Sequence, residues 1–450
     1  MTCAQCLLEK LLRSCPGLKS AYILMRPKRG VEIDERLEEL KQSILFERLN
    51  TAPNGRDLLD KIKPIRGDIT EPLFGISTSD LELLSSKVSI VFHSAATIKF
   101  VEPLKTAVKN NVVSVNNLIE LASRLDHLKA LVHVSTAYSN CDRQMVEEVF
   151  YESPIEAERL IEMAHWMEGE LFERIGAVLI GKRPNTYTFT KAVAESLLVK
   201  RALQLIPSVP IAVVRPSIVA GTWQQPLRGW VDNFNGPTGV ILSMATGVLQ
   251  AMPARSAYCA DIVPVDIVAN LIICTAHFVG NKTVEGQNKV KMDQKVVGQL
   301  AGKGLENILI FNCVSGTLNP IFWSDVVRYV KKISKTYPMN NPFRDPGYML
   351  MSNDYLFSVY NFFSHKCVAH LGDFCMKLIG RKASLVIIFS RLNKMVATLR
   401  PFTMQQWLFK CTNVTSLYES LSPVDQTLFN FDVRQVDWDD YICRYYIGSK

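Results

Sequence analysis

The stretch Asn185-Thr186-Tyr187-Thr188-Phe189-Thr190-Lys191-Ala192-Val193-Ala194-Glu195 sets the reading of this chain. A tyrosine and a lysine four residues apart lie about one turn from each other on one helix face. Ala192, Ala194, Leu197 and Leu198 are good helix formers, and Pro184 marks where the helix can begin. An ammonium beside a phenol favours the phenolate. Lys191 is therefore expected to lower the Tyr187 pKa from about 10 toward the range of a working general acid. Tyr187 could then give a proton to a carbonyl oxygen as hydride reaches the carbon. The spacing by itself recurs on ordinary solvated helices, so this chemistry requires a nucleotide-binding fold around it.

Outward from the pair, apolar stretches alternate with helical ones. Leu7 to Cys15 reads as a short amphipathic helix, Ile33 to Leu49 as a charged helix and Pro103 to Leu125 as a long one. Ala21 to Met25 reads as a strand ending at Arg26-Pro27-Lys28, and Ile62 to Arg66 as one ending at Gly67-Asp68-Ile69. Val88 to Phe92 ends at His93-Ser94-Ala95-Ala96, and Leu128 to Val134 at Ser135-Thr136-Ala137. Ile211 to Val214 ends at Arg215-Pro216-Ser217, and Leu309 to Ser315 adds a last edge. Strands alternating with helices mean βαβ units and a parallel sheet, hence an α/β, Rossmann-like, doubly wound fold. The polar clusters fall at strand C-terminal ends, where open α/β sheets bind ligands.

Each cluster also has an ordinary reading. Arg26 can be a surface charge, Asp68 a turn residue, His93 a satisfied core histidine, and Ser135 and Thr136 caps for backbone groups. Their shared placement is what joins them into one site.

Composition bounds the function. The chain has 450 residues, 48% hydrophobic and 21% charged, which describes a globular protein with a large core. A net charge of +8 is modest at this size. It argues against nucleic acid and suits anionic small molecules or an anionic membrane surface. Eleven cysteines follow no framework spacing, and Met1 opens no secretory signal, so reduced thiols in a cytosol-facing protein are expected. Cys3 and Cys6 stand alone as a Cys-x-x-Cys, so no metal site is expected. No stretch is an uncharged, strongly apolar span. Gly236 to Met252 comes closest and reads as a buried helix or a substrate-site loop. Tyr355 to Val396 mixes aromatic and aliphatic residues with Lys366, Lys377, Arg381, Lys382, Arg391 and Lys394. It reads both as helical core with a basic face and as an amphipathic surface lying on a membrane.

The order of these strand-end motifs resembles the extended short-chain dehydrogenase/reductases. The resemblance implies NADPH as cofactor, with Arg26 on the 2′-phosphate and Lys28 as helper, since a guanidinium binds phosphate bidentately. It implies that Asp68 and Ile69 meet the adenine and that Ala95 and Ala96 pack against the cofactor. It also places Asn111, Pro216, Ser217 and Ile218 on the cofactor side. Thr136, with Ser135 beside it, would polarise the substrate carbonyl, and Tyr187 and Lys191 would complete the catalytic set while touching the cofactor.

A narrower resemblance rests on Leu179 to Glu195 (LIGKRPNTYTFTKAVAE), Val213 to Trp223 (VVRPSIVAGTW), Gly229 to Gly239 (GWVDNFNGPTG) and Asp261 to Asn270 (DIVPVDIVAN). These are similar to eukaryotic fatty acyl-CoA reductases, the alcohol-forming enzymes abundant in insects. The tail continues the likeness through Phe311 to Gly316, Asn319-Pro320, Trp323, Phe402, Trp407, Phe409, Leu421 to Asp425, Phe429 to Asp432 and Asp437 to Tyr441. The resemblance implies a reductase domain over residues 1–317 and a mostly helical C-terminal domain over 318–450. Pro226 to Thr238 would face substrate.

One family feature is missing. Members begin with a strand and a glycine-rich turn that cradles the pyrophosphate, whereas Met1 to Cys6 here runs straight into LLEKLL. The chain is therefore expected to be N-terminally truncated, with a gap in the middle of its sheet. It is also expected to stop short of a hydrophobic tail after Lys450.

The implied activity is NADPH-dependent reduction of a long-chain acyl-CoA to a primary alcohol with release of CoA. Two alternatives stay open: an impaired reductase-like protein that binds lipid or membrane, and another reductase of the same superfamily acting on a sterol or sugar nucleotide. The expected partners are the acyl-CoA and a membrane surface, with a homo-oligomer left open. The expected location is the cytosolic face of the endoplasmic reticulum or peroxisome.

Overall fold

The computed structural model describes residues 2–233, 236–285, 296–297, 307–340, 342–347, 349–382 and 384–449. Phe234 and Asn235 of the GWVDNFNGPTG motif, and Lys450, lie outside them. The chain forms two compact units that interleave in sequence: Met1–Ser217, Val265–Val314 and Phe409–Asp432 make the first, and Ile218–Pro264, Ser315–Leu408 and Val433–Lys450 the second.

In the first unit, helix α1 (Thr2–Ser14) precedes strands β1 (Ala21–Met25), β2 (Ile62–Arg66), β3 (Ile90–His93), β4 (Ala130–Val134), β5 (Ile211–Pro216) and β6 (Ile308–Cys313). Every pairing among these strands is parallel. Four of them form one sheet in the order β6-β5-β4-β3, while β1 and β2 pair with each other. Helices alternate with the strands, so the architecture is the Rossmann-like α/β fold expected. The sheet strands read as nearly continuous apolar runs because both faces are covered; all six residues of β5 are buried. Among the described residues β3 has only β4 as a strand neighbour. Ile90 is accordingly 42% exposed, and all of β1 is only half-buried.

Helix α2 (Thr186–Leu205) carries the tyrosine and lysine. It is buried on two sides. Ala194, Leu198, Val199 and Ala202 join Leu131, Ile211 and Ile310 in the sheet core, while Phe189, Val193 and Leu197 pack with Leu104, Val112 and Phe172. Lys191 and Glu195 lie buried in the middle of α2, so these two charged groups need partners inside the protein.

Two helices expected as single units are interrupted. The charged helix runs only over Ile33–Lys41, followed by a 3₁₀ turn at Ile44–Phe46 and a short helix at Glu47–Asn50. The long helix consists of Leu104–Val108 and Ser114–Ala122 joined through a π-turn at Lys109–Val113. Sequence periodicity does not distinguish a π-turn from α-helix, because only one residue is added. Helix α3 (Val265–Glu285) packs on α1, and it carries Asp266 and Asn270.

The second unit pairs Ile218–Ala220 with Ile262–Pro264 and Ala251–Pro253 with Met349–Met351, all parallel. Its helices are α4 (Trp323–Thr336), α5 (Asp354–Asn361), α6 (Val368–Leu378), α7 (Leu385–Met404) and α8 (Trp438–Gly448), besides the Pro237–Ala245 helix within the Gly236 to Met252 stretch. The Asp373 carboxylate accepts the backbone N–H groups of Ser384, Leu385 and Val386, so α6 caps the start of α7. Gly229 has a φ of +76°, and a Cβ there would meet the Arg444 carbonyl oxygen at 2.2 Å. Only glycine allows the 229 loop to lie against α8. Tyr441 Oη donates to the Gly221 carbonyl at 2.8 Å, which explains the aromatic signature of the tail.

Candidate active site

The site is built where α2 starts against the C-terminal ends of β3, β4 and β5. Asn185 caps α2, its Oδ1 accepting the Thr188 N–H at 2.9 Å. Thr186 Oγ1 donates to the carbonyls of Glu102 at 3.0 Å and Phe100 at 3.3 Å, which fastens the helix start to the loop after β3. Phe100 then packs on Tyr187, with ring centroids 5.5 Å apart.

The Tyr187 hydroxyl stands beside the Thr136 side chain. Burial pushes its hydroxyl up to about 12, with the Thr136 hydroxyl opposing and the Glu195 charge adding to the rise. This corrects the expectation that Lys191 would lower it: loss of solvent outweighs any neighbouring cation. The phenol is firmly protonated, the form a proton donor requires. The Thr136 hydroxyl also accepts the Tyr138 N–H at 3.3 Å and reaches the Pro216 carbonyl at 3.4 Å.

Lys191 Nζ donates to the Val134 carbonyl at 2.7 Å and stands 3.5 Å from His133 Nε2. Burial lowers its pKa to about 8, and the Glu195 charge partly restores it. The Nδ1 atoms of His133 and His93 lie 2.9 Å apart with the rings stacked. Burial first, and the Lys191 charge second, lower both histidines, so both are neutral near pH 7. An ammonium donating to His133 Nε2 leaves the His133 proton on Nδ1. That proton goes to His93 Nδ1, so His93 carries its own on Nε2. His93 Nε2 is buried and has no partner among the described residues.

Asn111 sits on the π-turn. Its Oδ1 accepts the Thr97 N–H at 2.9 Å and its Nδ2 donates to Thr190 Oγ1 at 3.0 Å, joining the loop after β3 to α2. Ala95 is exposed and Ala96 half-buried at that strand end. At the ends of β1 and β2, Arg26 Nη1 donates to Asp68 Oδ2 at 2.7 Å. Asp68 Oδ1 accepts both N–H and Oγ1 of Thr70 at 2.9 Å. Despite partial desolvation, these bonds hold the Asp68 carboxyl below its usual range. Lys28 is exposed beside a turn formed by Arg29 and Gly30, both at positive φ, and Ile69 packs on the sheet core. Ile218 lies on a strand of the second unit.

Ser135 does not face the same way as Thr136. Its hydroxyl donates to Glu195, whose carboxylate also receives Arg215 through Nη2 at 2.7 Å and Nε at 3.1 Å. Sequence reading assigned Glu195 and Arg215 no role. The available signal was a glutamate one turn beyond Lys191 and an arginine ending an otherwise apolar strand.

The residues fit a nicotinamide dinucleotide. Buried Ser217 Oγ and Asn185 Nδ2, like His93 Nε2, have no partner among the described residues, and all three lie at the ligand-binding edge. Arg26 offers an exposed guanidinium at the C-terminal end of β1.

A family model described as "Male sterility protein" matches residues 3–272, and a second with the same description matches 364–450. The chain is 38% identical over 444 residues to fatty acyl-CoA reductase 1 of Gallus gallus and to that of Homo sapiens, covering 99% of this chain and 81% of each relative. Fatty acyl-CoA reductase 2 of Mus musculus is 38% identical over 445 residues, with the same coverage. Among solved structures, a reductase domain of a non-ribosomal peptide synthetase from Mycobacterium tuberculosis matches with a TM-score of 0.60 at 16% identity, over 99% of this chain and 88% of that one. The terminal R domain of the myxalamid PKS-NRPS pathway gives 0.59 at 18% identity, over 99% and 87%. These two likenesses establish the shared fold.

Proposed function

Because the chain belongs to the fatty acyl-CoA reductase family, we propose that it reduces long-chain acyl-CoA to a primary alcohol with release of CoA, using NADPH. NADPH, when bound, supplies hydride to the substrate carbon at each of two reductions. Thr136 Oγ1 orients the carbonyl oxygen, and Tyr187 Oη gives that oxygen its proton. The first reduction yields a hemithioacetal, which collapses to the aldehyde with departure of CoA; the second yields the alcohol. Lys191 returns a proton toward Tyr187 and offers its ammonium to the ribose hydroxyls. Arg26, helped by Lys28, selects the 2′-phosphate. Ser217 Oγ, which has no partner among the described residues, suits the carboxamide edge of the cofactor. The observation that carries the reading is the placement of Tyr187 and Lys191 one turn apart on α2, with Lys191 Nζ bonded to the Val134 carbonyl at the strand end that delivers Thr136.

In this reading residues 1–317 supply the redox chemistry and 318–450 the acyl-chain side. Helices α5 to α7 expose Phe363, Leu371, Phe374, Leu378 and Ile379 among Lys366, Lys377, Arg381 and Lys382. Such a surface suits the face of an anionic bilayer. No helix among the described residues is long and apolar enough to cross a membrane.

The test is NADPH oxidation with palmitoyl-CoA, with hexadecanol measured as product. Tyr187→Phe should lower turnover by about 100-fold or more. Undiminished turnover in that variant would remove Tyr187 from its role, and absence of alcohol from the parent chain would overturn the assignment.

A further inference from the structure

We propose that Glu195 is a positioning residue whose carboxylate clamps the ends of β4 and β5 from behind, so that Thr136, bonded to the Pro216 carbonyl, faces Tyr187 in front. The inference rests on the reductase reading of the same site. Successive residues of a strand point to opposite sides. At the end of β4, Ser135 turns to Glu195 while Thr136 turns to the Tyr187 hydroxyl. At the end of β5, Arg215 turns to Glu195 while the carbonyl of Pro216 accepts Thr136 Oγ1. One carboxylate therefore holds both rear members of two adjacent pairs, and the front members form the site.

The clamp is dry and fully partnered. Arg215 is 0% exposed and Glu195 2%. Arg215 also donates through Nη1 to the carbonyl of Glu147 and through Nη2 to that of Val149, both at 3.2 Å. Glu195 lies two turns beyond Tyr187 on α2, on the face shared with Lys191. A rigid helix thus transmits the position of the carboxylate to the phenol. A simple apolar contact could hold these elements together, but only a two-oxygen acceptor sets both strand ends against one helix point. Ser135 accordingly acts on the reaction through Glu195 rather than by touching substrate.

Ser135→Ala removes one arm and leaves the ion pair intact, so the variant should fold. With NADPH and palmitoyl-CoA, kcat should fall about 10- to 100-fold while KM for palmitoyl-CoA stays within about twofold. Ser135→Thr, which keeps the hydroxyl, should restore most of the loss. Unchanged kcat in Ser135→Ala would overturn the clamp, and so would a raised KM at constant kcat, which would put Ser135 on the substrate. Amide hydrogen exchange gives a readout independent of turnover: the N–H groups of Ser135, Tyr138 and Ser217 should exchange faster in Ser135→Ala. Equal exchange in the two proteins would overturn the clamp even if the parent chain reduced no acyl-CoA, an outcome that separately removes the reductase reading.

Discussion

Lys191 Nζ donates to the carbonyl oxygen of Val134 at 2.7 Å, so the lysine of the helical pair is fastened to the strand end that delivers Ser135 and Thr136. The bond carries a buried ammonium whose pKa burial lowers to about 8. Both catalysis and stability inherit that value.

If the ammonium is the working form, kcat/KM should decline as pH rises through about 8. Stability runs the other way. The folded pKa lies below the unfolded value of 10.5, so the unfolded chain binds the extra proton. The resulting penalty is absent above pH 10.5, grows as pH falls, and is complete below about 8, where it amounts to about 3 kcal/mol. Lys191→Met relieves it but strands the Val134 carbonyl, which costs about 1–3 kcal/mol. The expected net result is an inactive protein with a Tm at pH 7 equal to or above that of the parent, losing that relative advantage by pH 10.5. Thermal denaturation across this range checks it.

Arg26→Ala should discriminate between the two nicotinamide cofactors. The Arg26 guanidinium is exposed and held by Asp68, ready for a phosphate. Removing it should raise KM for NADPH by about tenfold or more, the scale of one charged hydrogen bond, and leave KM for NADH nearly unchanged. Equal effects on both cofactors would dissociate Arg26 from the 2′-phosphate.

Asn111→Ala tests the link between the loop after β3 and α2. Asn111 is buried, and its loss leaves the Thr97 N–H without its acceptor and Thr190 Oγ1 without its donor. A destabilisation of about 1–3 kcal/mol is expected in urea unfolding. Thr190 still donates to the Thr186 carbonyl at 2.8 Å, so α2 itself should persist by circular dichroism.

Binding to vesicles tests the face of α5 to α7. Replacing Phe374 and Leu378, both more than half exposed, by serine should weaken sedimentation with phosphatidylserine vesicles. Each apolar side chain contributes about 1.5–3 kcal/mol when buried. Thermal stability should change little, since neither residue packs inside. Salt should weaken binding of the parent chain because Lys377, Arg381 and Lys382 share the surface.

Much of this protein was legible in its sequence because the deciding signals are local. β1 and β2 fall on the residues expected, Ala21 to Met25 and Ile62 to Arg66, because short apolar runs bounded by turn residues have few other uses. The helix of Tyr187 and Lys191 follows from its helix formers and the Pro184 start, and the polar strand ends follow from topology. The interruption of the long helix at Lys109–Val113 was not legible, since one inserted residue leaves the apolar period nearly intact.

What only the tertiary structure decided is how these groups are charged and held. The sequence put a lysine near a tyrosine and so pointed to a lowered phenol. The fold buries Lys191 and strips solvent from the Tyr187 hydroxyl, and desolvation reverses the direction at Tyr187. Ser135 and Thr136 are adjacent in the chain with alike hydroxyls, yet one meets Glu195 and the other Tyr187. Arg215 reaches Glu195 across 20 positions, and His93 reaches His133 across 40. Local sequence determines which elements form and where their polar ends lie. Partnership inside a water-excluding core is a property of three-dimensional packing, and there the loss of solvent sets the sign.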